Sequence, residues 1–145
     1  MEKNNEDIDM LKEVHRNSKM AVESIGALMS KVYDEDLSYD LNKQLQKFKD
    51  LELRSKDKLK ELGVPVKEES AVERMMLWAS IQMNTLTNIS TSHIADMMVK
   101  GNKRGIKEML KVRRSNKNCG EYATEIADEL MDFEIDNIEK LKKYM

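Results

Sequence analysis

The chain has 145 residues, 40% hydrophobic and 36% charged, with a formal net charge of −2, one proline, five glycines and one cysteine. That length suits one domain around a single core; so few breakers exclude a many-turned β fold, and one cysteine excludes an internal disulfide framework. Near-balanced charge supplies no global field toward nucleic acid or a membrane surface, and no apolar run approaches the roughly 20 residues of a membrane-spanning helix.

The opening stretch, Met1 to Asp9, is acidic and polar. It has neither the basic start nor the apolar middle of a secretory signal, so the expected location is the cytoplasm. A first helix is predicted from about residue 6 to 33. Its stripe is Ile8, Leu11, Val14, Ala21, Val22, Ile25, Leu28, Met29 and Val32, at steps of three and four. The acidic run Asp34-Glu35-Asp36 breaks that pattern.

A second helix is predicted from about Ser38 to Leu62, with Leu41, Leu45, Phe48, Leu59 and Leu62 inward. Gly63 is the expected left-handed cap and Pro65 bars continuation. Ser70 with Glu73 has the form of a capping box, which opens a further stretch at Ala71. From there Val72, Met75, Met76, Ala79, Met83, Leu86, Ser90, Ile94, Met97, Gly101, Gly105, Met109 and Val112 keep one face. A straight helix over 71–114 would span roughly 65 Å, against roughly 40 Å for the others. A break is therefore predicted near Asn88 to Ser92, where Ser, Thr and Asn favour caps over helix interiors; a continuous bent helix is the alternative. The last helix starts at Glu121 after the loop Ser115–Gly120, with Ala123, Ile126, Ala127, Leu130, Phe133, Ile138 and Leu141 inward.

The expected architecture is one all-α domain over residues 1–145, an antiparallel four-helix bundle. Two short connections make hairpins, and a long helical crossover joins the second helix to the third, one of the two standard bundle topologies. Several features extend this reading: Leu62-Gly63-Val64-Pro65, Trp78, His93-Ile94-Ala95-Asp96 with Gly101 and Gly105, and Glu134-x-x-Asn137 followed by Leu141. On these the chain resembles the ferritin-like superfamily, closest to its small bacterial four-helix-bundle branches.

The resemblance implies a di-iron or di-manganese centre, built from one Glu on each of two helices and a Glu-x-x-His on each of the other two. The matching positions are Glu23 on the first helix, Glu52-x-x-Ser55 on the second and Glu134-x-x-Asn137 on the last. On the third helix Asn102 matches, or Gln82 if the crossover helix substitutes. Both motif histidines are absent. Serine is not a usual ligand for either metal, and asparagine is a weak neutral one. The reading preferred is a bundle without its metals, whose remaining core polar groups bond one another.

Other residues carry weaker signals. His93 and Asp96 stand at i,i+3 and make half a metal site, to be completed by Glu125 or Glu129 of the last helix. His15 has no acidic neighbour on its own face. Cys119, at a helix start that would lower its pKa, lacks the base a nucleophile needs. Met20, Met29, Met75, Met76, Met83, Met97, Met98, Met109 and Met131 stand at inward spacing, and a methionine-rich core is expected. The paired Gly101 and Gly105 point to close helix packing, as at a dimer interface, or to a group needing room.

Lys100, Lys103, Arg104, Lys107, Lys111, Arg113 and Arg114 form a basic strip, a candidate anion site. It lacks aromatic residues for base stacking, and the last helix answers it with acids, as two antiparallel neighbours of opposite charge would. The leading expectation is a non-catalytic module that pairs with itself or with a protein partner. A di-metal carboxylate enzyme or storage protein, and an anion- or nucleic-acid-binding module, are the alternatives.

Overall fold

A computed structural model describes residues 2–66 and 71–145, and every regular element among them is helical. They are α1 (Glu2–Met29), α2 (Glu35–Glu61), α3 (Ala71–Thr85), α4 (Thr91–Ser115) and α5 (Glu121–Leu141), with a 3-10 turn over Lys142–Tyr144. None of the described helices is long and apolar enough to cross a membrane. Ser70, the residue expected to cap α3, lies outside the described residues.

The helix ends follow from local chemistry. Asp34 is the N-cap of α2, and its carboxylate accepts the Leu37 N–H at 2.9 Å. Glu35 and Asp36 then occupy the first turn, where the helix dipole favours negative charge. The acidic trio is therefore a start signal as well as a break, and α2 begins three residues before Ser38. At the far end Gly63 takes φ 77°. Its N–H donates to Lys60 O at 3.0 Å and the Val64 N–H to Leu59 O at 2.9 Å, the paired bonds of a Schellman motif.

Between α3 and α4 the chain leaves the helix, as Ser, Thr and Asn predicted. The Thr85 hydroxyl bonds back to Ile81 O at 2.7 Å. Asn88 Oδ1 accepts the Ser90 N–H at 3.0 Å, and Ser90 Oγ caps α4 by accepting the His93 N–H at 3.2 Å. Gly120 opens α5 with no side chain of its own; instead Asp7 of α1 accepts the Gly120 N–H at 2.7 Å. One acidic side chain thus caps a helix start and joins two ends of the chain.

Long-range contacts fix the directions. Asp7 meets Gly120 and Asn17 meets Gly105, so α1 and α4 are antiparallel. Asn102 with Asn137 and Arg113 with Asp128 make α4 and α5 antiparallel. Arg54 with Glu129 and Asp40 with Tyr144 do the same for α2 and α5. The core between these four helices holds Leu11, Val14, Ile25, Leu41, Phe48, Leu51, Ile94, Met109, Ile126 and Leu130, all essentially excluded from water. Each such side chain contributes about 1.5–3 kcal/mol.

The α3 helix departs from expectation. Val72, Met75, Met76, Met83 and Leu86 were expected inward, yet each is at least 64% exposed, and Trp78 is 60% exposed. Of α3 only Ile81 and Thr85 are buried, with Leu77 partly so. The periodic stripe is real, but α3 lies on α1 by its other edge, and the apolar face looks outward. Met10, Met98, Met109 and Met131 do fill the core.

The expected opposition of basic α4 and acidic α5 also resolves differently. Among the described residues one α4–α5 ion pair, Arg113–Asp128, joins them. The stronger clamp is between α2 and α5: Glu129 accepts from Arg54 at 2.6 and 3.0 Å and from Lys47 at 2.6 Å. The Arg54 hydrogen bond leads in holding the Glu129 carboxyl well below its usual range, at about 2. A carboxyl depressed in the folded state stabilises above its unfolded pKa and loses that as pH falls. Because the pair is about one-third exposed, the expected cost of Glu129→Gln at neutral pH is only about 1 kcal/mol. In urea titrations that difference from wild type should fade between pH 4.5 and about 2.

Candidate functional site

Beside the α1–α4 contact at Asn17 and Gly105, residues of α1, α3 and α4 line a cavity of about 590 Å³. That volume is in the range of small-molecule sites. Its apolar wall comes from Met20 and Leu28 of α1, Phe48 of α2, Leu77 and Ile81 of α3 and Met97 of α4. Phe48 is fixed there by edge-to-face packing on Phe133, centroids 5.0 Å apart. Gly101 and Gly105 line the same cavity, and α5 contributes Glu134.

Glu134 is the most consequential polar residue in the fold. It is 1% exposed, and its Oε1 has no hydrogen-bond partner. A Cβ added at Gly105 would overlap Glu134 Oε2 and come within 2.8 Å of Asn17 Oδ1. The glycine is there because the carboxyl of α5 lies against its Cα. The room anticipated for a close helix or a bound group is taken by an acid from within the chain. Gly101, by contrast, has nothing within 4 Å of an added Cβ.

The surrounding amides are each engaged through one N–H. Asn17 Nδ2 donates to Gly105 O at 3.0 Å and Asn102 Nδ2 to Met98 O at 2.8 Å. Asn137 Nδ2 donates to Asn102 Oδ1 at 3.3 Å. With no cation beside it, burial pushes the Glu134 carboxyl up to about 8, and the charge of Glu13 on α1 adds to the rise. Glu13 itself is gripped by Arg16 at 2.6 and 2.9 Å. At neutral pH Glu134 is therefore largely protonated.

The metal reading does not fit this geometry. Among the described residues no group of three or more His, Cys, Asp or Glu side chains converges as a cation site. Glu23 is half-buried on α1 and Glu52 half-buried on α2, where Ser55 turns its hydroxyl back to Leu51 O at 2.8 Å. His93 Nε2 meets Asn84 O at 2.7 Å, and Asp96 pairs with Lys100 at 3.0 Å. Glu129, expected to complete a His93–Asp96 site, belongs to Arg54 and Lys47. Glu134 stands among asparagines, which cannot balance two divalent cations. The set Glu23, Glu52, Glu134, His93 and Asp96 is thus dispersed, and of its members Glu134, His93 and Asp96 line the cavity.

In the basic strip, Lys100 and Arg113 are taken up by Asp96 and Asp128, whereas Lys103, Arg104, Lys107, Lys111 and Arg114 are exposed. Cys119 is half-buried and donates to Glu6 O at 3.3 Å. Burial, with the nearby Asp7, raises its pKa, the opposite of the expected helix-dipole effect, and so disfavours the thiolate. His15 is buried on α1. Asn17 and Glu13 were not singled out from the sequence, although Asn17 continues the inward spacing of Val14 and Ala21, and a polar residue there was the available signal.

No family model, no curated protein and no solved structure matches this chain.

The two glycines should respond oppositely to alanine. Gly101→Ala should stabilise by about 0.5–1 kcal/mol through helix propensity. Gly105→Ala should cost about 1–3 kcal/mol despite the same gain, because Glu134 must move; thermal unfolding of both variants measures the contrast. Glu134 also predicts a pH effect. A carboxyl raised in the folded state holds its proton from pH 4.5 to about 8 while the unfolded chain has lost it, so stability falls as pH rises through that window. Glu134→Gln should flatten that fall and exceed wild type in melting temperature at the upper end.

Proposed function

We propose that this chain is a non-catalytic helical-bundle protein that pairs with a second copy of itself through α3. In this reading α1, α2, α4 and α5 form a four-helix bundle with ferritin-like connectivity, and α3 is the crossover between its hairpins. The antiparallel directions of the four long helices and the placement of α3 support that topology. The dispersed donor residues and the protonated Glu134 favour a bundle that works without a dinuclear metal centre.

The observation that carries the pairing is the outward face of α3. Val72, Met75, Met76, Trp78, Met83 and Leu86 are each 60% or more exposed, and Ile89 extends the patch. A helix apolar on both sides belongs in an interior. These side chains leave on the order of 700 Å² of apolar surface in water, beyond the roughly 300–600 Å² patch of an ordinary monomer. It also approaches the roughly 800 Å² per partner of a standard interface.

The charge pattern favours a second copy over a charged partner. Within α3 the only ionic residues are Glu73 and Arg74, adjacent and of opposite sign. A patch with no net charge can face its own image without repulsion, and a two-fold axis makes one patch sufficient for both partners. Methionine gives the face the adaptable surface such pairing needs.

Light scattering coupled to size exclusion should give twice the chain mass for wild type. The double variant Met75→Asp, Met83→Asp should give the monomer mass, with helical circular dichroism unchanged because both side chains are exposed. A monomeric wild type, including one that instead partitions onto neutral lipid vesicles, would refute the pairing. So would a double variant that stays dimeric.

A further inference from the structure

The cavity and the outward face of α3 are separate features, and the cavity carries its own inference. Its inner pole, at Gly105, presents two side-chain oxygens from different helices. Asn17 and Asn102 each spend one N–H on a backbone carbonyl, and Asn137 spends one on Asn102. The polar atoms nearest the open side of Gly105 are oxygens, Asn17 Oδ1 and the carboxyl of Glu134, whose Oε1 is buried and unpartnered.

Most other charged groups around the cavity are paired. From α1, Arg16 is bonded to Glu13 and lies 3.9 Å from Glu108 of α4. On α4, Lys100 is paired with Asp96, Arg104 is exposed, and His93 is held by Asn84. The α3 wall contributes Leu77, Ser80, Ile81 and Asn84, none of them titratable. On α2 the lining residue is Phe48. Glu134 alone is an acid at the pole with no cation against it.

We propose that the cavity binds a small molecule with an apolar body and one protonated amine, the ammonium resting on Glu134 and Asn17 Oδ1. An ammonium brings three donors and no acceptor, which suits the two oxygens beside Gly105, and it supplies a counter-charge to the Glu134 carboxylate. The body lies along Met20, Leu28, Leu77, Ile81 and Met97. Neither iron nor manganese takes part, and dimerisation is not required.

The proposal predicts proton release. In the free protein Glu134 holds its proton up to about pH 8, and the ammonium displaces it. Amine affinity should therefore climb about tenfold per pH unit below that value and level off above it.

Calorimetric titration of the full chain with n-octylamine, using 1-octanol as the uncharged match, tests this. Octylamine is expected to bind at least tenfold more tightly than octanol at about pH 8, with the stated slope below it. Glu134→Gln should abolish the preference and the slope while the protein stays folded, and His93→Gln should keep both, which excludes the imidazole as the titrating group. Gly101→Phe, whose new side chain extends into open space, should block both probes. Equal binding of octanol and octylamine, no binding of octylamine, or an unchanged preference in Glu134→Gln would each overturn the assignment.

Discussion

A carboxylic acid pressed against the Cα of a glycine governs how α5, α4 and α1 meet. Glu134 leaves α5 and lies in the space where residue 105 lacks a side chain, which Asn17 of α1 also borders. The Asn17 amide holds the Gly105 carbonyl at the same level. Three helices thus meet at one glycine, α1 and α4 through a hydrogen bond and α5 through a steric notch. The notch fixes where the residue-134 side chain sits along α4, because any sliding of α5 would drive it into the neighbouring helix surface. The cost is an acid that stays protonated in the fold at neutral pH, since burial without a cation disfavours its charge.

Around that contact the remaining polar interactions work at the periphery. Asp7 caps α5 from α1. Arg54 and Lys47 tie α2 to Glu129 on α5, and Asp40 receives Tyr144 from the closing turn. Each acts between elements far apart in the chain. They specify direction and register, while the aliphatic core supplies most of the favourable free energy. Between the Asn17 contact and α3 neither kind of interaction fills the space, and a cavity remains.

The α3 helix is the element least explained by the isolated chain. Its one buried edge, Ile81 and Thr85 with Leu77 beside them, is too narrow to account for the apolar residues on the other sides. Exposed apolar area of that size is unfavourable in water. The proposed pairing with a second copy would remove it from solvent.

Much of the fold was legible in sequence because its determinants are local. Gly63 before Pro65 ends α2 by conformational necessity, and the polar stretch before Ser92 ends α3 because its side chains bond nearby backbone groups. The periodic stripes of α1, α2, α4 and α5 name their buried faces, since one polar and one apolar face leave one choice. Asp34 shows the limit: an acid run reads equally as a helix break or a helix start until its carboxylate is seen on the Leu37 N–H. Tertiary structure alone decided the rest. Periodicity fixes that Met75, Met76 and Met83 share a side, but not whether a neighbour covers it. The spacing of Gly101 and Gly105 marks room, but not that only one is filled, or by which residue. The sequence carries Glu134 as a carboxylate; only its placement among asparagines, away from every cation, makes it a neutral acid, because desolvation depends on neighbours brought in from distant parts of the chain.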